Sequence, residues 1–292
     1  MTPTVSILVT VYNREAYLQE TLKSILASTF DNFEVLVVDD CSTDQSVRIA
    51  QQIQNTDPRV QVILNEQNLG DYGNRMKAAS LAKGKYLKYV DSDDLIYPHS
   101  LQLMVDAMER HADAAIGLAH SLPEDDSPYP WLLKPAVAYQ KQFLGRGCMS
   151  CGPTGAIIRH NAFQACGGFH KQWGVLSDRE LWLRMAAKWP IVLLPPGLVW
   201  WRRHEGQEFT SGDAAAVYLE RGYQLEVEAL NSTNCPLADA DLTKAQKKVA
   251  KCYARRLLSM ATRQRSPLKA YRLFQKSNLK IMNLVQGIRP YR

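Results

Sequence analysis

The sequence predicts an α/β protein with a mostly parallel sheet flanked by helices and a helical C-terminal extension. Three observations support this fold class. Short apolar runs that are typical of buried strands alternate with helical patterns through the first 120 residues, as in VSILVTV at 5–11 and FEVLVV at 33–38. These helical patterns are long enough to connect parallel strands. From residue 213 onward the pattern is helical.

The individual elements follow from these patterns in order. Residues 15–26 form an amphipathic pattern after the first strand, and Thr43 begins the helix that follows the second strand and runs to about residue 54. Ser177 stands where a hydroxyl commonly caps a helix. The remaining elements are predicted as strands at 60–64, 84–90, 114–118, 156–159, 191–194 and 198–202, and helices at 71–82, 98–110, 161–166 and 177–188.

The pattern changes after residue 120. Residues 121–150 are rich in proline and contain several aromatic residues, and we predict a long loop region over the functional site. We therefore predict one large domain over residues 1–210, with parts at about 1–120 and 121–210, and an extension over residues 211–292.

Charge is distributed unevenly along the chain. The net charge is +6, but residues 244–292 contain fourteen Lys and Arg and no Asp or Glu. Residues 1–243 therefore hold 21 basic and 29 acidic residues, a net charge of −8. This division predicts an acidic functional body with a basic tail that suits an anionic surface.

The cysteines and the hydropathy bear on the compartment. No apolar run is long enough to span a bilayer, and the N-terminal residues pass directly into a strand pattern, so we expect no signal peptide. Cys148 and Cys151 form a C-x-x-C, but no second ligand pair stands at the spacing of a zinc site. We therefore expect free, reduced thiols in a cytoplasmic protein.

The most informative segment is Asp91-Ser92-Asp93-Asp94, which follows the apolar run YLKYV. Carboxylates at the end of a buried strand repel one another and are costly to desolvate unless a cation compensates their charge. Mg²⁺ commonly combines one or two carboxylates with the phosphates of a substrate. A short D-x-D also occurs in solvated turns before helices, so the motif alone leaves both interpretations open.

Polar residues also follow the first two strands, in TVYNR at 10–14 and DDCSTD at 39–44. The carboxyl ends of parallel strands meet at one edge, where ligands of open α/β sheets bind, so these side chains could line one pocket with the D-x-D. Asp40 could accept a hydrogen bond from a base N–H. The same acidic pair could instead stabilise the N-terminus of the next helix.

The ordered set of motifs resembles the inverting glycosyltransferases of family 2, which have the GT-A fold. The matching segments are VSILVTVYNREAYLQETLKSIL, FEVLVVDDCSTDQS and NLGDYGNRMKAASLAKGKYLKYVDSDD, and the resemblance covers about residues 4–205. It implies transfer of a sugar from a nucleotide diphosphate sugar, expected to be UDP-linked, to a hydroxyl of a glycan or glycolipid. It also implies bacterial polysaccharide or lipopolysaccharide assembly at the cytoplasmic face of a membrane.

The resemblance assigns a nucleotide site. Thr10 and Tyr12 would line the nucleotide pocket, Asp40 would contact the base, and Arg75 would lie beside the nucleotide. Met76 stands where the family usually has Asn.

The resemblance also assigns a metal site for Mg²⁺ or Mn²⁺. Asp91 and Asp93 match the family's D-x-D, with Asp93 the expected direct ligand, Asp91 close to both metal and nucleotide, and Asp94 assisting. His204 matches a histidine that often helps to hold the metal or the diphosphate, although a lone histidine is usually a surface or packing residue. The metal would act as a Lewis acid as the diphosphate leaves.

A catalytic base is the second requirement. The segment SDRELWLR at 177–184 matches a Glu-Asp pair that is followed by an apolar helix and Arg. Ser177 replaces the first acid, and Asp178 keeps the position of the base that deprotonates the acceptor hydroxyl. Taken alone, Asp178 also suits the first turn of a helix. Trp173, Trp182, Trp200 and Trp201 form an aromatic cluster of a kind that is more often part of a core than a platform for a sugar, and Trp173, in a loop beside glycine, is the best of the four candidates for stacking.

The basic tail has two interpretations. Val249, Tyr253, Leu257 and Met260 fall at helical spacing beside basic residues. This pattern suits an anionic membrane surface or a partner groove, and it equally suits a packed helical appendage with a solvated basic face. No recognition motif accompanies the charge, so we expect no nucleic-acid partner. An oligomer is compatible with the sequence.

Two other functions compete with sugar transfer. A sugar nucleotidyltransferase would need a Gly-rich, Arg-containing loop after the first strand, whereas the loop here is Tyr12-Asn13-Arg14-Glu15. A nucleotide-sugar binding or scaffold protein would have no transfer activity. The intact carboxylates argue against a scaffold, and Ser177 argues for one.

Overall fold

The computed structural model of the chain contains two units, each with its own core. It describes residues 2–119, 128–204, 214–277 and 279–288. The first unit is formed by residues 1–138 and 148–204, and the second by residues 139–147 and 205–292. The second unit thus combines a short segment from the middle of the chain with the C-terminal part.

Most predicted strands and helices are present, and the strands at 5–11, 60–64, 156–159 and 191–194 have the predicted ends. The strands are β1 (Val5–Val11), β2 (Phe33–Asp39), β3 (Val60–Leu64), β4 (Tyr86–Tyr89), β5 (Leu95–Ile96), β6 (Ile116–Ala119), β7 (Trp131–Leu133), β8 (Ala156–Arg159), β9 (Ile191–Leu194) and β10 (Val199–Trp200). The helices are α1 (Leu18–Leu26), α2 (Ser46–Gln54), α3 (Asp71–Leu81), α4 (Ser100–Arg110), α5 (Pro135–Phe143), α6 (His160–Ala165), α7 (Ser177–Lys188), α8 (Ala214–Asn231), α9 (Asp239–Thr262), α10 (Pro267–Lys276) and α11 (Ile281–Ile288).

Eight strands form one sheet in the order β3-β2-β1-β4-β8-β6-β9-β7. The first four are parallel and are connected in sequence through α1, α2 and α3. β8 is antiparallel to both of its neighbours, β9 is parallel to β6, and β7 is antiparallel to β9. β5 and β10 form a separate antiparallel pair. The predicted α/β class is therefore confirmed, with antiparallel strands inserted in the second half of the sheet.

The sheet forms because its first strands are mostly apolar and are buried on both faces. Ile7 and Val9 of β1 and Val35 and Val37 of β2 are fully buried in a core that α1, α2 and α4 complete. Burying each such side chain contributes about 1.5–3 kcal/mol. The register pairs Val11 with Asp39, so the carboxyl ends of β1 and β2 lie level with each other.

Several predicted boundaries are wrong by up to three residues; α2, for example, begins at Ser46 instead of Thr43. The boundary at α1 has a clear cause. α1 begins at Leu18 instead of residue 15, because the backbone N–H groups of Arg14 and Glu15 donate to the Ser46 hydroxyl and the Asp44 carboxylate. The strand predicted at 198–202 is only two residues long, at β10.

The predicted loop at 121–150 is also wrong in the part that the structure describes. β7 pairs with β9 at the edge of the sheet, and α5 follows after one residue. Pro135 opens α5, where the missing N–H of proline has no helical partner to lose. Residues 120–127 lie outside the described part of the chain.

The second unit has a core of its own. Tyr253, Leu257 and Met260 of α9 are buried in one cluster with Leu219 of α8 and Leu273 of α10. The apolar stripe predicted as a membrane or partner contact therefore faces the interior of this unit, which favours the packed-appendage interpretation for these side chains. Within the described ranges, no helix combines the length and apolarity needed to cross a bilayer.

Candidate functional site

The site lies at the carboxyl edge of the parallel strands. Thr10 is the penultimate residue of β1, and Tyr12 follows the strand with 50% of its surface exposed. Asp40 follows β2 and is buried, and the D-x-D follows β4, whose Tyr89 pairs with Leu8 of β1. The parallel topology therefore brings these predicted site residues to one edge of the sheet, as the sequence indicates.

Asp40 holds the loop that leads into α3. Its Oδ1 accepts hydrogen bonds from Asn65 Nδ2 at 2.8 Å and from the backbone N–H of Leu69 at 2.8 Å, and its Oδ2 accepts the backbone N–H of Gly70 at 2.9 Å. Gly70 has a φ of 73°, a conformation that favours glycine. Because a carboxylate has about four acceptor sites, Asp40 retains one for a ligand.

We expect Asp40→Ala to lower the free energy of unfolding by about 2–4 kcal/mol, because three donors lose their acceptor and part of that loss is restored by water. Urea unfolding measures the effect. Glu66→Ala is the matched control, since Glu66 is an exposed acid of the same loop and should change stability by no more than about 0.5 kcal/mol. Equal unfolding midpoints for the two variants would show that Asp40 does not hold this loop.

Arg75 is a buried cation between two carboxylates. Its Nε lies 2.8 Å from Asp71 Oδ1, and its Nη1 lies 2.8 Å from Asp91 Oδ1. Burial opposes the charge, but Asp71 and Asp91 outweigh it and raise the pKa of Arg75. The guanidinium also lies over the rings of Tyr72 and Tyr89. Arg75 is thus fixed beside Asp91, where it can meet an anionic ligand.

Asp93 faces a histidine and an arginine. Its Oδ2 lies 3.0 Å from His204 Nε2 and 3.3 Å from Arg14 Nε. His204 is held by Tyr17, whose ring centroid is 4.4 Å away. Arg202 donates from Nε to the Asp93 carbonyl at 2.8 Å. The structure therefore brings Asp93 and His204 together, as predicted, and adds Arg14 as a neighbour.

A buried lysine lies beneath the D-x-D. Lys88 of β4 is fully buried and donates to the Thr154 carbonyl, while the Thr154 hydroxyl accepts the backbone N–H of Asp91 at 3.0 Å. Burial lowers the pKa of Lys88 to about 8, against the charges of Asp91 and Asp94. Burial and the charge of Asp91 raise the pKa of Asp94. These contacts tie the D-x-D to the segment that precedes β8.

Asp178 lies in the first turn of α7 and is only partly accessible to solvent. Burial raises its pKa to about 7, against the hydrogen bond from the Arg179 N–H and the charge of Arg75. The charges of Asp91 and Asp71 raise it further. Asp178 therefore interacts electrostatically with the Arg75–Asp91 pair, and it can change protonation near neutral pH.

Ser177 does not cap α7, so this prediction is wrong. The residue is the first of the helix, and its fully buried hydroxyl oxygen lies 2.8 Å from the His170 carbonyl and 2.7 Å from the Gly174 carbonyl, which share its single hydrogen. The hydroxyl thus fastens the 3-10 turn at Lys171–Leu176 instead of a helical N–H group.

Trp173 is also not placed for stacking on a sugar, because 93% of its surface is buried, leaving 7% exposed. Trp200 and Trp201 are exposed at 42% and 48%. They are the exposed tryptophans of the predicted aromatic cluster.

Three polar residues of this edge escaped the sequence analysis: Lys88, Thr154 and Arg202. The sequence did contain a signal for Lys88, because a charged residue within a buried strand requires a nearby polar partner. The partner itself, the Thr154 carbonyl, is 66 residues away and leaves no local pattern in the sequence.

The acidic residues at this edge suit a metal that the substrate helps to bind. Among the described residues, no group of three or more His, Cys, Asp or Glu is arranged to hold a metal ion. Asp93 and His204 nevertheless converge, and the buried Oδ1 of Asp91 lies 2.8 Å from Arg75 Nη1. Because Mg²⁺ sites commonly take one or two carboxylates and complete their shell with phosphates and water, these residues fit such a site.

Two curated relatives match part of the chain. Glycosyltransferase GlyG of Streptococcus pneumoniae is 35% identical over 130 residues, which are 44% of this chain and 43% of that protein. TuaG of Bacillus subtilis, named as a provisional teichuronic acid biosynthesis glycosyltransferase, is 34% identical over 124 residues, which are 42% of this chain and 49% of that protein. The chain thus spans less than half the length of either relative.

Solved structures share the fold. TarS of S. aureus (residues 1–349), in complex with UDP-GlcNAc, has a TM-score of 0.66 and 22% identity over 98% of this chain and 78% of that chain. The mannosyltransferase PcManGT of Pyrobaculum calidifontis, in complex with GDP-Man and Mn²⁺, has a TM-score of 0.67 and 16% identity over the same shares.

A match to a family model identifies the family of this chain. The family model for Glycosyl transferase family 2 matches residues 6–167, a span that contains β1 to β4, the D-x-D and β8. That is more than half of the chain. The chain therefore belongs to glycosyl transferase family 2.

Proposed function

We propose that this chain is an inverting glycosyltransferase that moves a sugar from a nucleotide diphosphate sugar to a hydroxyl of a glycan or glycolipid. One observation carries the proposal. A partly buried acid, Asp178, whose pKa is raised to about 7, interacts electrostatically with Arg75 and Asp91 at the edge where the D-x-D lies. A base and a charged site for a diphosphate are thus combined, as this reaction needs.

The donor site is proposed at Thr10, Tyr12, Asp40, Arg75 and Asp91. Tyr12 presents an exposed ring to a base or ribose, and Asp40 keeps one acceptor position for a base N–H. We propose a UDP-linked donor of the hexosyl or N-acetylhexosaminyl type. The fold shared with TarS, whose structure contains UDP-GlcNAc, supports this choice.

The metal is proposed to be Mg²⁺ or Mn²⁺, held by Asp93 with Asp91 and His204. When bound, such an ion offsets the negative charge that develops on the departing diphosphate. The Mn²⁺ in the PcManGT structure, which has the same fold, supports the proposal. Arg14 and Arg75 would add positive charge toward the same phosphates, because both already lie against the carboxylates of the D-x-D.

The proposed reaction needs one proton acceptor. Asp178 takes the proton of the acceptor hydroxyl as that oxygen forms a bond to the anomeric carbon. The bond between this carbon and the diphosphate oxygen breaks, and the nucleoside diphosphate leaves with the electron pair. Attack on the face opposite the leaving group inverts the configuration at the anomeric carbon.

The cellular role is proposed from the relatives and the charge distribution. The name of TuaG supports polysaccharide assembly in bacteria. None of the six cysteines forms a disulfide, in keeping with a cytoplasmic protein. We propose a catalytic domain at residues 1–210 and a basic extension at 211–292, through which the chain works at the inner face of a membrane.

The test is a donor screen that measures the nucleoside diphosphate released. UDP-linked and GDP-linked sugars are supplied with and without a simple glycoside acceptor, in Mg²⁺, in Mn²⁺ and in excess EDTA. We expect release from a UDP-sugar that needs a divalent ion and increases with acceptor. Tight binding of the nucleotide sugar without release from any donor would instead indicate a binding or scaffold protein.

A further inference from the structure

The second unit exposes large apolar side chains in its last two helices. Leu268 and Tyr271 of α10 are exposed at 76% and 58%, and Ile281 and Met282 in the first turn of α11 at 73% and 64%. Such a concentration of exposed apolar residues within fifteen positions commonly marks an interaction site.

α10 separates its residues cleanly between two faces. Ala270 and Leu273 are buried in the core of the unit, whereas Leu268 and Tyr271, three positions apart, are neighbours on the exposed face together with Arg272. The buried face is therefore already occupied, and the exposed apolar face contributes nothing to the core of this unit.

Basic residues accompany these apolar residues. Arg263, Arg265, Arg272 and Lys280 are all exposed, and within the described part of the chain none of them forms an ion pair. No acidic residue occurs between residues 244 and 292. The 263–282 segment, meaning the exposed residues between Arg263 and Met282, is thus both apolar and strongly positive.

The positive charge of the 263–282 segment indicates which kind of partner can bind to it. A second copy of the chain in a symmetric dimer would place the same patch on both sides of the interface, so like charges would face one another. An anionic bilayer offers negative headgroups to the basic residues and an apolar interior to the aliphatic ones. Tyr271 suits the same boundary, because tyrosine is enriched at the membrane interface.

We propose that the 263–282 segment is the surface that contacts an anionic lipid bilayer. This inference rests on the membrane location proposed above, and it assigns the contact to side chains other than the buried stripe of α9. The apolar residues of the segment enter the membrane interface: Leu268, Tyr271, Ile281 and Met282. The basic residues lie at the lipid headgroups: Arg263, Arg265, Arg272 and Lys280.

The experiment is flotation of the full chain with vesicles of phosphatidylcholine, alone or with 30% phosphatidylglycerol. We expect the wild type to float only with the anionic vesicles and to be released by high salt. One basic residue near an anionic leaflet increases the affinity for the membrane about fivefold. The double variant Arg263→Gln with Arg272→Gln should therefore bind the vesicles about 25-fold more weakly. Leu268→Ser with Tyr271→Ser should weaken it at least tenfold.

The controls separate the possible failures. Arg48→Gln with Leu103→Ser changes an exposed arginine and an exposed leucine of the first unit and should bind vesicles like the wild type. Far-ultraviolet circular dichroism checks that each variant folds, which is expected because the changed residues are exposed.

If the wild type does not float, the membrane location itself is wrong. If it floats and both segment variants float equally well, another surface binds the membrane. If the wild type is a dimer without lipid and Leu268→Ser with Tyr271→Ser makes it monomeric, the segment is a subunit interface and the proposal is overturned.

Discussion

Asp178→Asn is expected to lower the rate of sugar transfer by about 10²–10⁴-fold while the affinity for UDP stays unchanged. The amide keeps the shape of the carboxylate but cannot take the proton of the acceptor hydroxyl. The comparison is made in single-turnover transfer and in UDP titrations of both proteins. A variant that retains most of its activity would exclude Asp178 as the base, and a loss of UDP affinity would indicate a damaged donor site.

The pH dependence provides a second signature of the same base. Asp178 has a pKa of about 7 because of burial, with Arg75 lowering it and Asp91 and Asp71 raising it. Tyr72 and Cys151 are its other titratable neighbours, and both stay neutral because burial raises their pKa values. The kcat/KM for transfer, whose pH dependence reports the pKa values of the free enzyme, should therefore rise with pH up to about 7 and then level off. The Asn variant should lack this rise.

The raised pKa also has a cost in stability. Because the folded pKa of Asp178 exceeds the unfolded value, stability is highest below the unfolded pKa and falls as the pH rises through 7. At pH 8, the free energy of unfolding of Asp178→Asn should therefore exceed that of the wild type by about 1–4 kcal/mol, which is seen as a higher melting temperature. At pH 4 the two proteins should melt at similar temperatures. The residue is partly accessible, so the lower end of that range is expected. Asp113→Asn, at an exposed position, is the control and should show no such difference.

The strands of the first half were predictable because burial on both faces leaves little choice of residue. β1 has its predicted ends, since it is an apolar run that is buried on both faces of the sheet. β7 and α5 were missed for the opposite reason. Their stability comes from distant contacts, such as the pairing of Leu133 with Ile191, and a short segment with several prolines carries no periodic signal of its own.

The arrangement of the site was predictable where topology alone determines it. Parallel strands bring their carboxyl ends to one edge, so Asp40 and Asp93 could be assigned to one site before any coordinates were known. The antiparallel insertion of β8 beside β4 was not foreseen. That insertion carries Thr154 to the backbone of Asp91. Contacts of this kind depend on the order of strands in the sheet, which periodicity does not reveal.

Ser177 illustrates a different limit. The resemblance to the family implies only that a hydroxyl stands where an acid is expected, and either a weakened site or a structural role would explain it. The buried hydrogen bonds to the carbonyls of His170 and Gly174 give it a structural role. The absence of the first acid therefore does not by itself argue for a protein without transfer activity.

Asp93→Ala is expected to reduce transfer by at least about 10²–10³-fold, the usual cost of losing one preorganised electrostatic contact at the reacting charge. Without a metal, the Asp93 carboxylate lies against Arg14 and His204. Without this carboxylate, Arg14 and His204 can meet a diphosphate directly. We therefore expect the variant to bind UDP without help from Mn²⁺, whereas Mn²⁺ should tighten UDP binding to the wild type.

Isothermal titration with UDP, in Mn²⁺ and in excess EDTA, separates this effect from misfolding. A merely unfolded variant would bind UDP under neither condition, whereas a variant that has lost only the metal ligand should bind equally well under both. Glu66→Gln, at an exposed acid outside the D-x-D, should keep the Mn²⁺ dependence of the wild type. Wild-type transfer at full rate in excess EDTA, or Asp93→Ala with undiminished Mn²⁺ dependence, would remove Asp93 from the metal site. In that case Arg14, Arg75 and His204 would have to offset the charge of the leaving diphosphate without a metal ion.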